Sequence, residues 1–170
     1  MPIQLSADTP PALVPLAWLI GDWAGAGVVG YPTMESDLQF GQEVSFSHDG
    51  RPFLAYSSRT WLLDDAGEKV RPLAGETGYW RPVGTTEGGA TELEVLLVHP
   101  TGIVETYHGT VDGPRVDLAT DVVARTATAK EYNAGRRMYG LVEGDLLWVL
   151  DMAAVGRPLT SHASARLKRL

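Results

Sequence analysis

Alternation of apolar and polar side chains, cut at short intervals by turn residues, constrains this chain more than any other feature. Val44, Phe46 and His48 share one parity against Glu43, Ser45 and Ser47. Leu93, Val95 and Leu97 alternate with Glu92 and Glu94, and His99 continues their apolar parity. A period of two is the mark of a strand with one face buried. Asp49-Gly50, Asp64-Asp65-Ala66-Gly67, Pro100-Thr101-Gly102, Asp112-Gly113-Pro114 and Glu143-Gly144-Asp145 supply the turns. Between them lie strands at Phe53–Leu62, Gly78–Val83, Ile103–Thr110, Arg136–Val142 and Leu146–Met152. One or two more span Arg115–Arg125, and the last runs from Leu159 or Ser161 to Leu167. Thr85–Ala90 reads as a loop, and Ala127–Asn133 gives no clear pattern. Nine or ten strands result, with no helix long enough for a parallel crossover. The fold class is all-β and antiparallel. A sheet of this size makes a sandwich or closes on itself. Closure removes the exposed edges, and a closed barrel of about ten strands is wide enough to hold one ligand.

Ahead of the strands, residues 1–12 read as a loose arm. Leu13, Leu16, Ala17, Leu19 and Ile20 then recur at helical spacing, with Pro15 near the first turn and Gly21 as the closing residue. This short helix is placed to cap a barrel end. Residues 1–170 are long enough for one domain with a real core. Gly25, Gly27 and Gly30 match the dinucleotide pattern G-x-G-x-x-G, but Tyr31-Pro32 follows and no helix starts there. The glycines fit better in a strand that another element approaches closely.

Composition excludes several functions. A net charge of −7 argues against nucleic acid, and Arg136-Arg137 and Lys168-Arg169 read as solvated edges. With 0 cysteines there are no disulfides and no thiolate chemistry. No apolar run is long enough to span a membrane, and the N-terminus lacks the basic and apolar regions of a secretion signal, so a cytoplasmic location is expected. No H-E-x-x-H supports a zinc hydrolase, and no G-x-S-x-G supports an esterase.

Four histidines remain: His48, His99, His108 and His162. His48, beside a turn, and His108, in parity with Thr106, read as surface. His99 reads as pointing inward, as a core histidine. His162 lies in the terminal stretch after Gly156-Arg157-Pro158. Strict alternation puts it with Ser164, Arg166 and Lys168, on what looks like the solvent face. A ligand role there requires a bulge that turns the side chain round.

Several segments together resemble the nitrobindin family. They are Gly21-x-Trp23-x-Gly25-x-Gly27 after a short helix, Tyr31-Pro32-Thr33, the run from His48 to Tyr56, Pro100 to Glu105, and Met152 to His162. The resemblance covers about Leu16 to Arg169 in the family's order. It implies a closed ten-stranded barrel, similar to lipocalins and fatty-acid-binding proteins, that holds haem b at its mouth as ferric iron. His162 matches the family's iron ligand. The resemblance also implies that Thr33 contacts the haem, that Lys130 neighbours a propionate, and that Met152, Leu73 and His99 line the pocket. Many members carry a histidine where this chain has Ala74, and His99 is the candidate to supply the missing polarity.

The activity so implied is isomerisation of peroxynitrite to nitrate, with reversible binding of nitric oxide. The expected partners are small molecules, with a homodimer as the one protein partner left open. Two rivals share the sequence features. One is a non-catalytic haem or nitric oxide carrier or sensor. The other is a lipocalin-like binder of an apolar molecule without iron.

Overall fold

The computed structural model describes residues 5–170, so part of the expected N-terminal arm lies outside it. A 3-10 helix, Pro11–Leu19, is followed by ten strands: β1 Gly21–Val29, β2 Leu38–Ser47, β3 Leu54–Leu63, β4 Lys69–Thr85, β5 Thr91–His99, β6 Ile103–Asp112, β7 Arg115–Arg125, β8 Tyr132–Val142, β9 Asp145–Ala154 and β10 Thr160–Arg169. Every strand pairs antiparallel with its sequence neighbour, and β1 pairs with β10 to close the barrel. Antiparallel order sorts the connections. The helix and the turns after β2, β4, β6 and β8 gather at one end. The loops 30–37, 64–68, 100–102, 126–131 and 155–159 gather at the other.

The all-β closed barrel agrees with the sequence reading, and three local expectations change. Gly21 does not close the helix. It opens β1 with a φ of 133°, and extended Ile20 ends the helix. β4 begins at Lys69, far ahead of Gly78, because Pro72 and Gly75 hide its alternation. The strand absorbs them with a bulge at Leu73, where Thr60 opposes Ala74 and Trp61 opposes Pro72. β8 begins at Tyr132 rather than Arg136, past a second irregularity at Asn133.

The glycine-rich stretch is β1 itself, with a loop after it. A Cβ at Gly25 would stand 2.2 Å from the Arg166 carbonyl oxygen, and one at Gly27 would stand 2.1 Å from that of Ser164. The glycines therefore let β10 lie close against β1, which closes the barrel.

The helix plugs its end. Leu13, Leu16 and Leu19 are fully buried with Trp23, Trp80, Phe46, Leu146 and Leu167. Each such leucine contributes about 1.5–3 kcal/mol of burial. Arg169, on the last strand, stacks over the Trp23 ring at 4.1 Å and donates to the carbonyls of Trp18 and Ile20. The plug leaves the opposite half of the barrel to the cavity.

Candidate functional site

A cavity of about 400 Å³ occupies the half of the barrel away from the helix. Its walls are mostly apolar, with Val29, Phe40, Ile103, Leu150 and Met152 among them. This volume lies in the ordinary range for small-ligand pockets.

His162 reaches this cavity against simple alternation. Ser161 opposes Asp151 and Ala163 opposes Leu150, the next residue on β9, so His162 is the unpaired residue of a β-bulge. His162 and Ala163 consequently both line the cavity, while Ser164, Arg166 and Lys168 stay exposed. The backbone N–H of Gly30 donates to the His162 carbonyl at 2.8 Å. The imidazole Nδ1 lies 2.9 Å from the Gly30 carbonyl oxygen. A carbonyl only accepts, so Nδ1 carries the proton and Nε2 keeps its lone pair. Nε2 makes no hydrogen bond among the described residues. The Tyr31 ring meets the imidazole edge-on, with centroids 5.7 Å apart. Burial pushes the His162 pKa below its ordinary value. The Gly30 hydrogen bond opposes that shift and the Arg137 charge adds to it.

The cavity floor holds a buried ionic network that the sequence reading missed. Arg137, 4% exposed, donates to both Glu76 oxygens at 2.6 and 2.8 Å, and to Glu105 Oε1 at 3.3 Å. Its Nε donates to the Tyr107 hydroxyl at 3.0 Å. Glu105 also accepts from Tyr107 at 3.1 Å, from Tyr132 at 2.6 Å and from His99 Nε2 at 2.9 Å. The Tyr56 hydroxyl donates to Glu76 at 2.6 Å. Arg136-Arg137 is thus only half a solvated edge: Arg136 is exposed and Arg137 is core. Parity held the missed signal. Arg137 shares its face of β8 with buried Tyr139, and Glu105 shares its face of β6 with buried Tyr107.

Burial alone would raise the Glu76 carboxyl. The Arg137 guanidinium, His99 and the Tyr56 hydroxyl outweigh that and hold it at about 2, down from an ordinary 4.5. Glu105 is held low in the same sense: burial raises it, but the hydrogen bonds from His99 and Tyr132 and the charge of Arg137 outweigh that. A depressed carboxylate stabilises the fold above its unfolded pKa, and that contribution is lost as pH falls through the folded value. Glu76 alone is therefore expected to cost about 3 kcal/mol as pH drops from the mid-fours to about 2, with Glu105 adding in the same direction. Urea unfolding followed across that pH range checks the prediction.

The other sequence candidates divide. Leu73, His99 and Met152 line the cavity with His162, and Ala74 does too. His99 sits on β5, five strands from β10 by either route around the barrel (β9, β8, β7, β6, β5 or β1, β2, β3, β4, β5). The two histidines therefore stand on opposite walls. Thr33 and Lys130 are exposed and lie outside the lining, on the loops 30–37 and 126–131 at the cavity end. His48 is half-buried and accepts from the Gly50 N–H, and His108 is exposed.

Among the described residues no three histidine, cysteine or acidic side chains converge on a point where they could hold a metal ion. A metal in this cavity would rest on one imidazole, with its other ligands brought by its own macrocycle. A lone inward Nε2 above apolar walls fits haem in that way. No helix of the described residues is long and apolar enough to cross a membrane.

Comparison with known proteins agrees with that chemistry. Residues 12–169 match the family described as the THAP4-like, heme-binding beta-barrel domain. A ferric nitrobindin-like protein of Kineococcus radiotolerans is 60% identical, with 100% of this chain and 99% of the relative aligned. A peroxynitrite isomerase of a Nocardioides species is 50% identical, with 99% of each chain covered. One of Leifsonia xyli is 46% identical, with 98% of each covered. The crystal structure of Rv2717c from M. tuberculosis superposes with a TM-score of 0.80 at 36% identity, covering 95% of this chain and 98% of that one. By its barrel, its cavity and these matches, the chain belongs to the THAP4-like haem-binding β-barrel family, the nitrobindins.

Proposed function

We propose that this protein binds haem b in the barrel cavity through His162 and isomerises peroxynitrite to nitrate, with nitric oxide as a second ligand of the same site. One observation carries the reading: the β10 bulge turns His162 inward, and its Nδ1–H donates to the Gly30 carbonyl, so the Nε2 lone pair faces the cavity. The relatives named peroxynitrite isomerase, 46% and 50% identical over nearly the whole chain, support the reaction.

His162 would hold the ferric iron, with Met152, Leu73 and Ile103 as apolar wall. Thr33 and Lys130 stand on loops that frame the open end and are assigned to the polar edge of the group. Haem held there by His162 would supply an iron able to rearrange a small oxidant. The chain's own part is to anchor, to exclude water and to shape the far wall. His99, facing His162 across the barrel, brings the hydrogen-bonding capacity that Ala74 lacks. Its Nε2 proton is committed to Glu105, which fixes the ring. A net charge of −7 offers no steering to an anionic substrate.

The 60% identical Kineococcus relative is named nitrobindin-like rather than isomerase, which favours a second reading as a non-catalytic haem or nitric oxide carrier. Stopped-flow decay of peroxynitrite separates the two. The isomerase accelerates decay when loaded with ferric haem and not when haem-free, whereas the carrier leaves the protein-free rate unchanged. A protein that gives no Soret shift on adding hemin would sink both.

A further inference from the structure

One hydrogen bond from Nδ1 to Gly30 selects a tautomer but leaves the His162 ring a pivot. The second restraint comes from Tyr31, which is 7% exposed. Its ring stands at 88° to the imidazole with centroids 5.7 Å apart. Its hydroxyl is engaged on the β9 main chain, accepting from the Ala154 N–H at 3.1 Å and donating to the Met152 carbonyl at 2.9 Å. In the barrel β10 lies between β1 and β9. Tyr31 follows β1 by two residues and bonds the end of β9, so its side chain spans the strand between them. It crosses where β10 carries the His162 bulge, since Thr160, two residues earlier, pairs with Met152. Tyr31 also packs in a small apolar cluster at this end with Tyr132, Ala154 and Met152.

We propose that Tyr31 is a positioning residue for His162. Its hydroxyl ties the β1–β2 loop to β9 across the bulge, and its ring edge keeps the imidazole turned so that Nδ1 meets Gly30 and Nε2 meets the cavity. Within the Tyr31-Pro32-Thr33 segment, the residue that touches the imidazole is therefore Tyr31.

The test is Tyr31→Phe, which keeps the ring and removes the anchor. Nitrogen-15 NMR of the His162 ring in the haem-free protein, above neutral pH, reads the tautomer directly. Wild type is expected to show the Nδ1–H form alone, and Tyr31→Phe a mixture of both forms. Release of hemin from the loaded protein is expected to quicken about 10-fold, as when an outer-shell partner of a metal ligand is lost. Val111→Ala, a core truncation at the helix end, controls for lost stability and should leave the tautomer unchanged. A tautomer or a release rate that stays at the wild-type value in Tyr31→Phe overturns the proposal. The release arm rests on the haem reading and the tautomer arm does not. If hemin fails to bind wild type, the haem reading falls, and the tautomer alone decides the role of Tyr31.

Discussion

Replacing His162 with alanine is expected to abolish both haem retention and any peroxynitrite decay above the protein-free rate. The other cavity imidazole, His99, has both ring nitrogens against carboxylates, 2.9 Å from Glu105 and 3.6 Å from Glu76, and Met34 and Met152 offer only neutral thioethers. The floor carboxylates are engaged by Arg137 and three tyrosines. Loss of affinity should exceed the roughly 10–100-fold typical of losing a mere partner of a ligand. Hemin added to His162→Ala should keep the spectrum of free hemin. The haem-free fold should survive, because the substitution removes one half-buried ring and one hydrogen bond to Gly30, a cost of about 1 kcal/mol. Added imidazole should enter the space left by the ring and partly restore the Soret band. Normal isomerisation by His162→Ala would show that the iron is held elsewhere or not at all.

Arg137→Met is expected to be the most damaging substitution for stability. It leaves Glu76 and Glu105 inside the barrel without their shared cation, the situation in which breaking a buried ion pair costs about 3–5 kcal/mol. At about 2–4 °C per kcal/mol for a chain of this size, the melting temperature should fall by roughly 10 °C. Adding Glu76→Gln and Glu105→Gln to Arg137→Met removes the orphaned charges and should recover much of the loss. A drop of less than about 1 kcal/mol for the single variant would mean that the network is not what holds the floor.

Local residue pattern carried most of the architecture. Alternation at Glu92–His99 and the turn at Glu143-Gly144-Asp145 mark β5 and the β8–β9 hairpin, whose Glu143 and Gly144 both take positive φ, 53° and 84°. Pattern failed where a strand departs from its own period. Pro72 and Gly75 hid the first half of β4, and Arg137 passed for surface because charge suggests solvent even where parity does not. His99 could be placed inside from its parity with Leu93, Val95 and Leu97. That it faces His162 follows only from the closing pair β1–β10, which leaves four strands between them on either side.

The sequence by itself determined antiparallel strands and the turns between them, because a period of two and the turn residues are local properties of the chain; a sandwich and a closed barrel both fit that pattern, and the β1–β10 pair decides for the barrel. The inward face of His162 was decided by the tertiary structure. Alternation assigns that side chain to solvent, and a single unpaired residue opposite Asp151 and Leu150 reverses it. A bulge is set by how β10 registers on β9 and β1 together and by what braces it, here Gly30 and Tyr31. Those partners are more than a hundred residues away in the chain, so the orientation of the imidazole exists only once the barrel has closed.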